Sequence, residues 1–183
     1  RCLIHAGAGG VGLLLIQLAA AIGAEVFTTV STEEKAALAA GAGAHHVIRY
    51  TEVDFVAAVE QIAGPRALDV VYDGVGEATF ARGLTLLRPR GMMVLFGQSS
   101  GVVPPFDLGT LAGMGSLYVT RPTMFTYVAD RAELEARANE VLGRVASGTL
   151  DIRIGNQFPL AEGAEAHRAL EGRRTTGKVL LRP

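Results

Sequence analysis

Cysteine is almost missing. Cys2 is the only one in 183 residues, which excludes an internal disulfide and a cysteine-based zinc cluster and fits a reducing compartment, the cytoplasm. An excess of one charge is missing as well. Lys plus Arg number 17 against 18 Asp plus Glu, so no global field draws the protein to nucleic acid or to an anionic membrane, and a small molecule is the expected partner. There is no basic stripe or exposed aromatic platform of the kind RNA recognition needs. The longest apolar run, residues 11–22, is interrupted by Gln17 and falls short of the roughly 20 residues that span a bilayer. No internal repeat or low-complexity segment occurs. An initiator methionine is also lacking: the chain opens on Cys2-Leu3-Ile4-His5, which reads as a core strand without lead-in, so a fragment is expected whose parent carries a further domain upstream.

What is present is apolar and periodic. With 49% hydrophobic and 19% charged residues the chain is able to bury a substantial core. Short β-branched runs at 2–5, 25–30, 46–48, 69–72 and 91–96 alternate with helical stretches at 11–22, 32–40, 54–63 and 78–87. That alternation predicts βαβ units and an α/β, doubly wound parallel sheet of the Rossmann type. Segments such as Val70-Val71-Tyr72 and Met93-Val94-Leu95-Phe96 are apolar on both faces, as strands covered by helices on both sides must be. Gly23, Gly41 and Gly64 each stand where a left-handed residue would close a helix, and Ser31-Thr32-Glu33-Glu34 has N-cap chemistry followed by acids in the first turn. Beyond Gly97 come a loop (98–105), a strand (116–120) and a helix (131–146). The tail from about 147, with strands at 156–159 and 178–181 around a helix at 161–172, need not join the sheet.

Gly7-x-Gly9-x-x-Gly12 follows a strand and opens a helix, the context that gives this spacing meaning for a dinucleotide. The first glycine permits the turn, the second lets backbone approach a pyrophosphate, and the third lets helix and strand pack, while the helix N-terminus offers N–H donors and a positive dipole. The plainer reading is a glycine-rich turn that only closes a βα unit. An NAD-specific site places an acid at the end of the second strand to accept from the ribose 2′-hydroxyl. That acid is missing: Val30-Ser31-Thr32 stands there, able to donate to a 2′-phosphate, with the Lys35 ammonium one turn on, so NADPH is favoured over NADH. Lys35 on a merely solvated helix face is the plainer alternative.

Ligands of open parallel sheets sit beyond the carboxyl ends of the strands, which selects Tyr50, residues 73–76 and residues 96–99. Gln98 and Ser99 suit a carboxamide. Asp73 reads as a turn-former or N-cap before it reads as catalytic. Tyr50 either stacks on adenine or covers the sheet. His45 and His46, adjacent on a strand, face opposite ways, against a shared metal. His5 reads as a packed core histidine. No Ser/His/Asp triad, carboxylate pair or zinc site is legible, so the chemistry would belong to the cofactor.

The segments His5-Ala6-Gly7-Ala8-Gly9-Gly10-Val11-Gly12, Val71-Tyr72-Asp73-Gly74-Val75-Gly76, Arg88-Pro89-Arg90-Gly91-Met92, Phe96-Gly97-Gln98-Ser99-Ser100-Gly101, Leu117-Tyr118-Val119-Thr120-Arg121-Pro122 and Thr176-Gly177-Lys178-Val179 resemble, in order and over essentially the whole chain, the zinc-free quinone oxidoreductases (zeta-crystallin-like) of the medium-chain dehydrogenase/reductase superfamily. The resemblance implies a Rossmann domain at 1–146 that binds NADPH, and a segment at 147–183 that returns to a GroES-like catalytic domain lacking here. It implies Gly9, Gly10 and Val11 on the pyrophosphate, Ser31, Lys35 and Tyr50 at the 2′-phosphate end, and Gly74 and Val75 along the ribose. Phe96, Gly97, Gln98 and Ser99 would reach towards nicotinamide, with Met124 and Phe125 near its carboxamide and Arg173 on the phosphates. It further implies metal-free hydride transfer to a quinone and a homodimer through the edge strand 116–120, an edge that would invite association in any case. Reduction of an enoyl or alkenal C=C bond, or cofactor binding without turnover by the isolated fragment, are the alternatives.

Overall fold

A computed structural model describes residues 1–183. Its centre is a six-stranded, wholly parallel sheet in the order β3-β2-β1-β4-β5-β6. The strands are β1 (Cys2–Ile4), β2 (Val26–Val30), β3 (His46–Arg49), β4 (Leu68–Asp73), β5 (Leu87–Leu95) and β6 (Tyr118–Thr120). The helices between them are α1 (Gly12–Ala21), α2 (Glu33–Gly41), α3 (Phe55–Ala63), α4 (Phe80–Thr85) and α5 (Gly109–Gly113). The order reverses between β1 and β4, the place where open α/β sheets keep their ligands. This is the expected doubly wound Rossmann architecture.

Alternation along the strands divides the core in two. Leu3 sends its side chain to a cluster with Phe27, Phe55, Val59, Val71 and Met93, while Cys2 and Ile4 point the other way, among Ile16, Val26, Val30 and Ala39. All five residues of β2 are buried, two of them polar. Thr28 is accommodated because its hydroxyl donates to the Ile4 carbonyl at 2.7 Å, and Thr29 because its Oγ1 meets His5 Nδ1 at 2.9 Å.

Helix starts follow local chemistry. Thr32 caps α2 by accepting from Lys35 N, and Asp54 caps α3 by accepting from Ala57 N. Gly23 (φ 79°) and Gly64 (φ 84°) are left-handed as expected, but Gly41 is not. Helix α2 runs through it to cap on Ala42, and Gly43 (φ 106°) makes the left-handed exit instead. The helix expected over 78–87 is shorter, because Leu87 already pairs with Leu68 in the sheet and β5 then shifts register to Val70–Met92 around Pro89 and the left-handed Arg90. Two short helices, α5 and α6 (Met124–Tyr127), fall where no element was expected, and α7 (Arg131–Ala146) spans the expected residues. No residue of α7 is buried.

The tail stays out of the sheet. Strands β7 (Ile154–Pro159) and β8 (Lys178–Arg182) pair in parallel as a separate two-stranded sheet, with α8 (Gly163–Glu171) between them. It touches the main body at several places, among them Gln17 with Asp151, Lys35 with Arg173, and a bridge from Gly177 to Gly9 in which the Gly177 N–H donates to the Ala8 carbonyl at 2.9 Å.

Asp73 closes β4 and is fully buried. Its Oδ1 accepts from Val75 N (2.7 Å), Gly76 N (3.0 Å) and the Thr79 hydroxyl (2.9 Å), making it the turn-former of the two expected roles, since the N-cap of α4 is Thr79. Asp73→Ala strips three donors, one buried and two part-buried, of their acceptor and is expected to destabilise the chain by about 3 kcal/mol, whereas Asp73→Asn, which keeps Oδ1, costs about 1 kcal/mol or less. Urea unfolding measures both; equal midpoints for the two variants would show that the carboxylate does not hold this turn.

Candidate functional site

Past Ile4 the chain makes one more ladder bond, His5 N to Tyr72 O at 3.1 Å, and then turns through the left-handed Ala6 (φ 57°) into α1. Two glycines are compelled by packing. A Cβ on Gly7 would overlap the Thr28 hydroxyl, and one on Gly12 would overlap the Ala6 carbonyl and stand 2.8 Å from Gly7 Cα. Gly10 is different: the nearest atom to an added Cβ is Cδ of Lys178, at 2.9 Å, a side chain delivered by the distant tail. No side chain caps α1, whose N-cap is Val11, and no acid sits in its first turn, so its N-terminal donors and dipole remain available to an anion.

A cavity of about 860 Å³ opens beside this turn, at the carboxyl ends of β1 to β4. Gly9, Ser31, Lys35 and Tyr50 line it, together with Val75, Ser99 and Arg173, so seven of the fifteen residues singled out from the sequence come together around one space. The rim carries Lys35 and Arg173 together with Glu171 and with Glu52, which is paired to Arg49; Lys35 Nζ donates to the Arg173 carbonyl at 2.6 Å and approaches Ser31 Oγ at 3.4 Å. Glu33, the acid closest in sequence to Ser31, pairs instead with Arg49 at 3.1 Å. Tyr50 is 41% exposed and lines the cavity.

The remaining residues fall in two groups. Gly10, Val11 and Gly74 belong to the bordering turns without lining the cavity, and Phe96 and Gly97 pack on Gly74, where an added Cβ would meet the Phe96 ring at 2.9 Å. Gln98 lies nearby, its Oε1 accepting from Arg121 Nη2 at 3.5 Å. Met124 and Phe125, 69% and 79% exposed on α6, are not brought to the cavity at all.

Several lining residues escaped the sequence reading. Thr175 arrives through the tail, which also lays Lys178 beside Gly10 at the border of the cavity, and nothing local in the sequence ties residue 177 to residue 8. Asp54, Phe55 and Arg82 form one wall, Phe55 buried and the other two exposed: Arg82 pairs with Asp54, and its guanidinium lies 4.5 Å over the Phe55 ring. His5 lines the same end, 2% exposed and edge-on to Phe55 at 5.0 Å. Burial pushes its imidazole down to about 4, with the Arg82 charge acting in the same direction and the Asp73 carboxylate opposing. His5 is packed as expected, yet it also faces the site. His45 and His46 point apart, His45 accepting from Val26 N and His46 pairing with Glu25. Nowhere do three or more His, Cys, Asp or Glu side chains cluster as a metal would require.

What this arrangement suits is a long ligand with an anionic end at the Lys35–Arg173 rim, a phosphate run along the glycine turn and a flat apolar portion inside. The glycine turn is a cradle that side chains would fill, and the buried polar edge of His5 is unmet, two features that fit a dinucleotide.

Comparison with known proteins agrees with this geometry. Residues 10–140 match the family described as zinc-binding dehydrogenase. The chain is 46% identical to quinone oxidoreductase 1 of Escherichia coli (strain K12) over 99% of its own length and 56% of that protein. It is 42% identical to a 2-haloacrylate reductase of Burkholderia sp over 99% of its length and 55% of that protein. A crystal structure of Escherichia coli quinone oxidoreductase complexed with NADPH superposes with a TM-score of 0.95 at 45% identity, covering all of this chain and 56% of that one. The chain thus spans about half the length of the relatives it matches.

His5 also gives the fold a pH signature. Its folded value, about 4, lies below the ordinary 6.5 of an exposed imidazole, so between these values the unfolded chain binds more protons. Stability is therefore complete above pH 6.5 and is lost as pH falls towards 4, by on the order of 3 kcal/mol. Urea midpoints measured across that window are expected to fall for the parent chain and to flatten for His5→Leu; parallel profiles would assign the loss to other groups.

Proposed function

The chain belongs to the zinc-binding dehydrogenase family of the medium-chain dehydrogenase/reductase superfamily, on its quinone oxidoreductase branch, and on that premise we propose that it holds NADPH for hydride transfer to a quinone. The observation that carries the reading is the cationic rim of Ser31, Lys35 and Arg173 where an NAD-specific site would present an acid. In this reading Gly9, Gly10 and Val11 receive the pyrophosphate with Lys178 laid across Gly10, and Ser31, Lys35 and Tyr50 receive the 2′-phosphate end with Arg173. Gly74 and Val75 follow the ribose. Phe96, Gly97, Gln98 and Ser99 lead towards the nicotinamide, and Met124 and Phe125 reach its carboxamide only from the exposed α6. When bound, the nicotinamide supplies the hydride; the chain's own residues bind it, orient it and neutralise its phosphates.

Residues 1–146 act as the cofactor domain, and 147–183 belong with the remainder of the catalytic domain. The exposed apolar side chains Leu142 and Val141 on α7 and Leu180 and Leu181 on β8 support this division, being surface that a further domain would cover. The reaction is proposed to need no metal, and the location to be cytoplasmic, in keeping with the single, buried Cys2. No helix is long and apolar enough to cross a membrane. A small molecule, not nucleic acid, is the proposed partner beside a second copy of the chain. That copy would pair along β6, a strand bonded on one side only, with Tyr118 57% and Val119 38% exposed. A second reading, reduction of an activated C=C bond, is favoured by the likeness to a 2-haloacrylate reductase. Steady-state NADPH oxidation by the full-length protein with a quinone and with an α,β-unsaturated carbonyl separates the two.

Lys35→Ala is expected to weaken binding of 2′,5′-ADP by about tenfold or more while leaving 5′-ADP unaffected, and Lys178→Ala to weaken both alike. Titration calorimetry reads each constant; equal losses for both nucleotides in Lys35→Ala would remove the 2′-phosphate assignment. Val119→Lys, which sets a charge on the free edge, is expected to shift the sedimentation of the chain from dimer to monomer.

A further inference from the structure

We propose that His5 recognises the base of the bound dinucleotide: its Nε2–H donates to a ring nitrogen of the purine at the inner end of the cavity. The inference rests on the cofactor reading above and adds to it a residue that the glycine turn and the cationic rim do not include.

The ring is fixed from one side. Its Nδ1 lies 2.9 Å from Thr29 Oγ1, whose one other partner, Ala6 N at 3.4 Å, can only donate, so Nδ1 is the sole acceptor in reach of the buried Thr29 hydroxyl proton. This assigns the remaining ring proton to Nε2. That Nε2 is the single buried side-chain polar atom in the chain with no hydrogen-bond partner. Every other buried polar side chain is satisfied: Thr28 by Ile4 O, Thr29 by His5, and Asp73 by three donors. An unmet donor costs stability, and such groups concentrate where a ligand completes them.

Its position suits a ligand. His5 stands at the carboxyl end of β1, beside the reversal between β1 and β4. Around it are Val75, the Phe55 ring and the Arg82 guanidinium over that ring, with Thr29 and Thr79 beside them, flat and apolar surface next to hydrogen-bonding groups, as a heteroaromatic ring requires. A phosphate is a poor fit there. The imidazole is neutral, and the carboxylates of Asp73 and Asp54 stand on the same side, with Arg82 already paired to Asp54. Anions belong at the opposite rim, with Lys35 and Arg173, so a nucleotide lies with its base inward and its 2′-phosphate outward. Nε2 is closed to water before binding; Phe55 is held in the core, and the half-exposed Arg82 side chain is the neighbour able to move as the base enters.

The test compares adenosine 2′,5′-bisphosphate with its 1-deaza, 3-deaza and 7-deaza analogues by calorimetry on the parent chain and on His5→Leu. One analogue is expected to bind the parent chain about tenfold more weakly than adenosine 2′,5′-bisphosphate, and His5→Leu to bind that analogue and the intact nucleotide equally. Three analogues within about twofold of the intact nucleotide, or discrimination retained in His5→Leu, would overturn the contact while leaving the cofactor site standing. No binding of adenosine 2′,5′-bisphosphate at all would instead remove the cofactor reading, and the contact with it. The comparison on the parent chain decides even if His5→Leu does not fold.

Discussion

The close approach of Gly7 and Gly12, with no side chain between them, is the constraint on which the rest of the site depends. Because neither residue carries a Cβ, α1 starts directly against the end of β1, and the Thr28 hydroxyl reaches the Ile4 carbonyl through the space a Gly7 side chain would fill. From that contact follow the exposed donors of the α1 N-terminus, the position of Gly9 at the cavity, and the ledge on which Gly177 and Lys178 settle. A bulkier turn would move the helix away from the sheet and open every one of these distances.

Where local chemistry decides an element, the sequence revealed it. The glycine spacing located the turn, the β-branched runs located all six strands of the sheet, and the missing acid at Ser31 pointed to the cationic rim before Lys35 and Arg173 were seen together. Where tertiary contacts decide, it did not. Leu87 reads as the end of an amphipathic helix, yet its pairing with Leu68 and complete burial draw it into β5. Gly41 has the composition of a helix stop, but a second glycine two residues on makes the turn.

The same division holds for the site. Residues on the turns after strands were legible because topology dictates that ligands collect there. Those delivered from far away were not: Arg82 and Asp54 come from different helices and meet only once α3 and α4 pack, and Lys178 depends on a bridge that no periodicity announces. His5 was legible as a core residue and illegible as a lining one, since only the surrounding contacts show that one edge of its ring is bonded and the other is not.

The bridge between Gly177 and the phosphate turn has a kinetic meaning as well. Ala8 and Gly177 stand nearly the whole chain apart in sequence, so their contact closes a very long loop and carries a correspondingly large closure entropy, which favours its forming after the more local pairings. The six-stranded body is then free to fold first, with its glycine turn shaped but unroofed, and the tail docks afterwards. Binding competence is in this sense tied to the tail: a chain with only its six-stranded sheet in place still lacks Lys178 and Arg173, and gains them when its most distant segment returns to where the fold began.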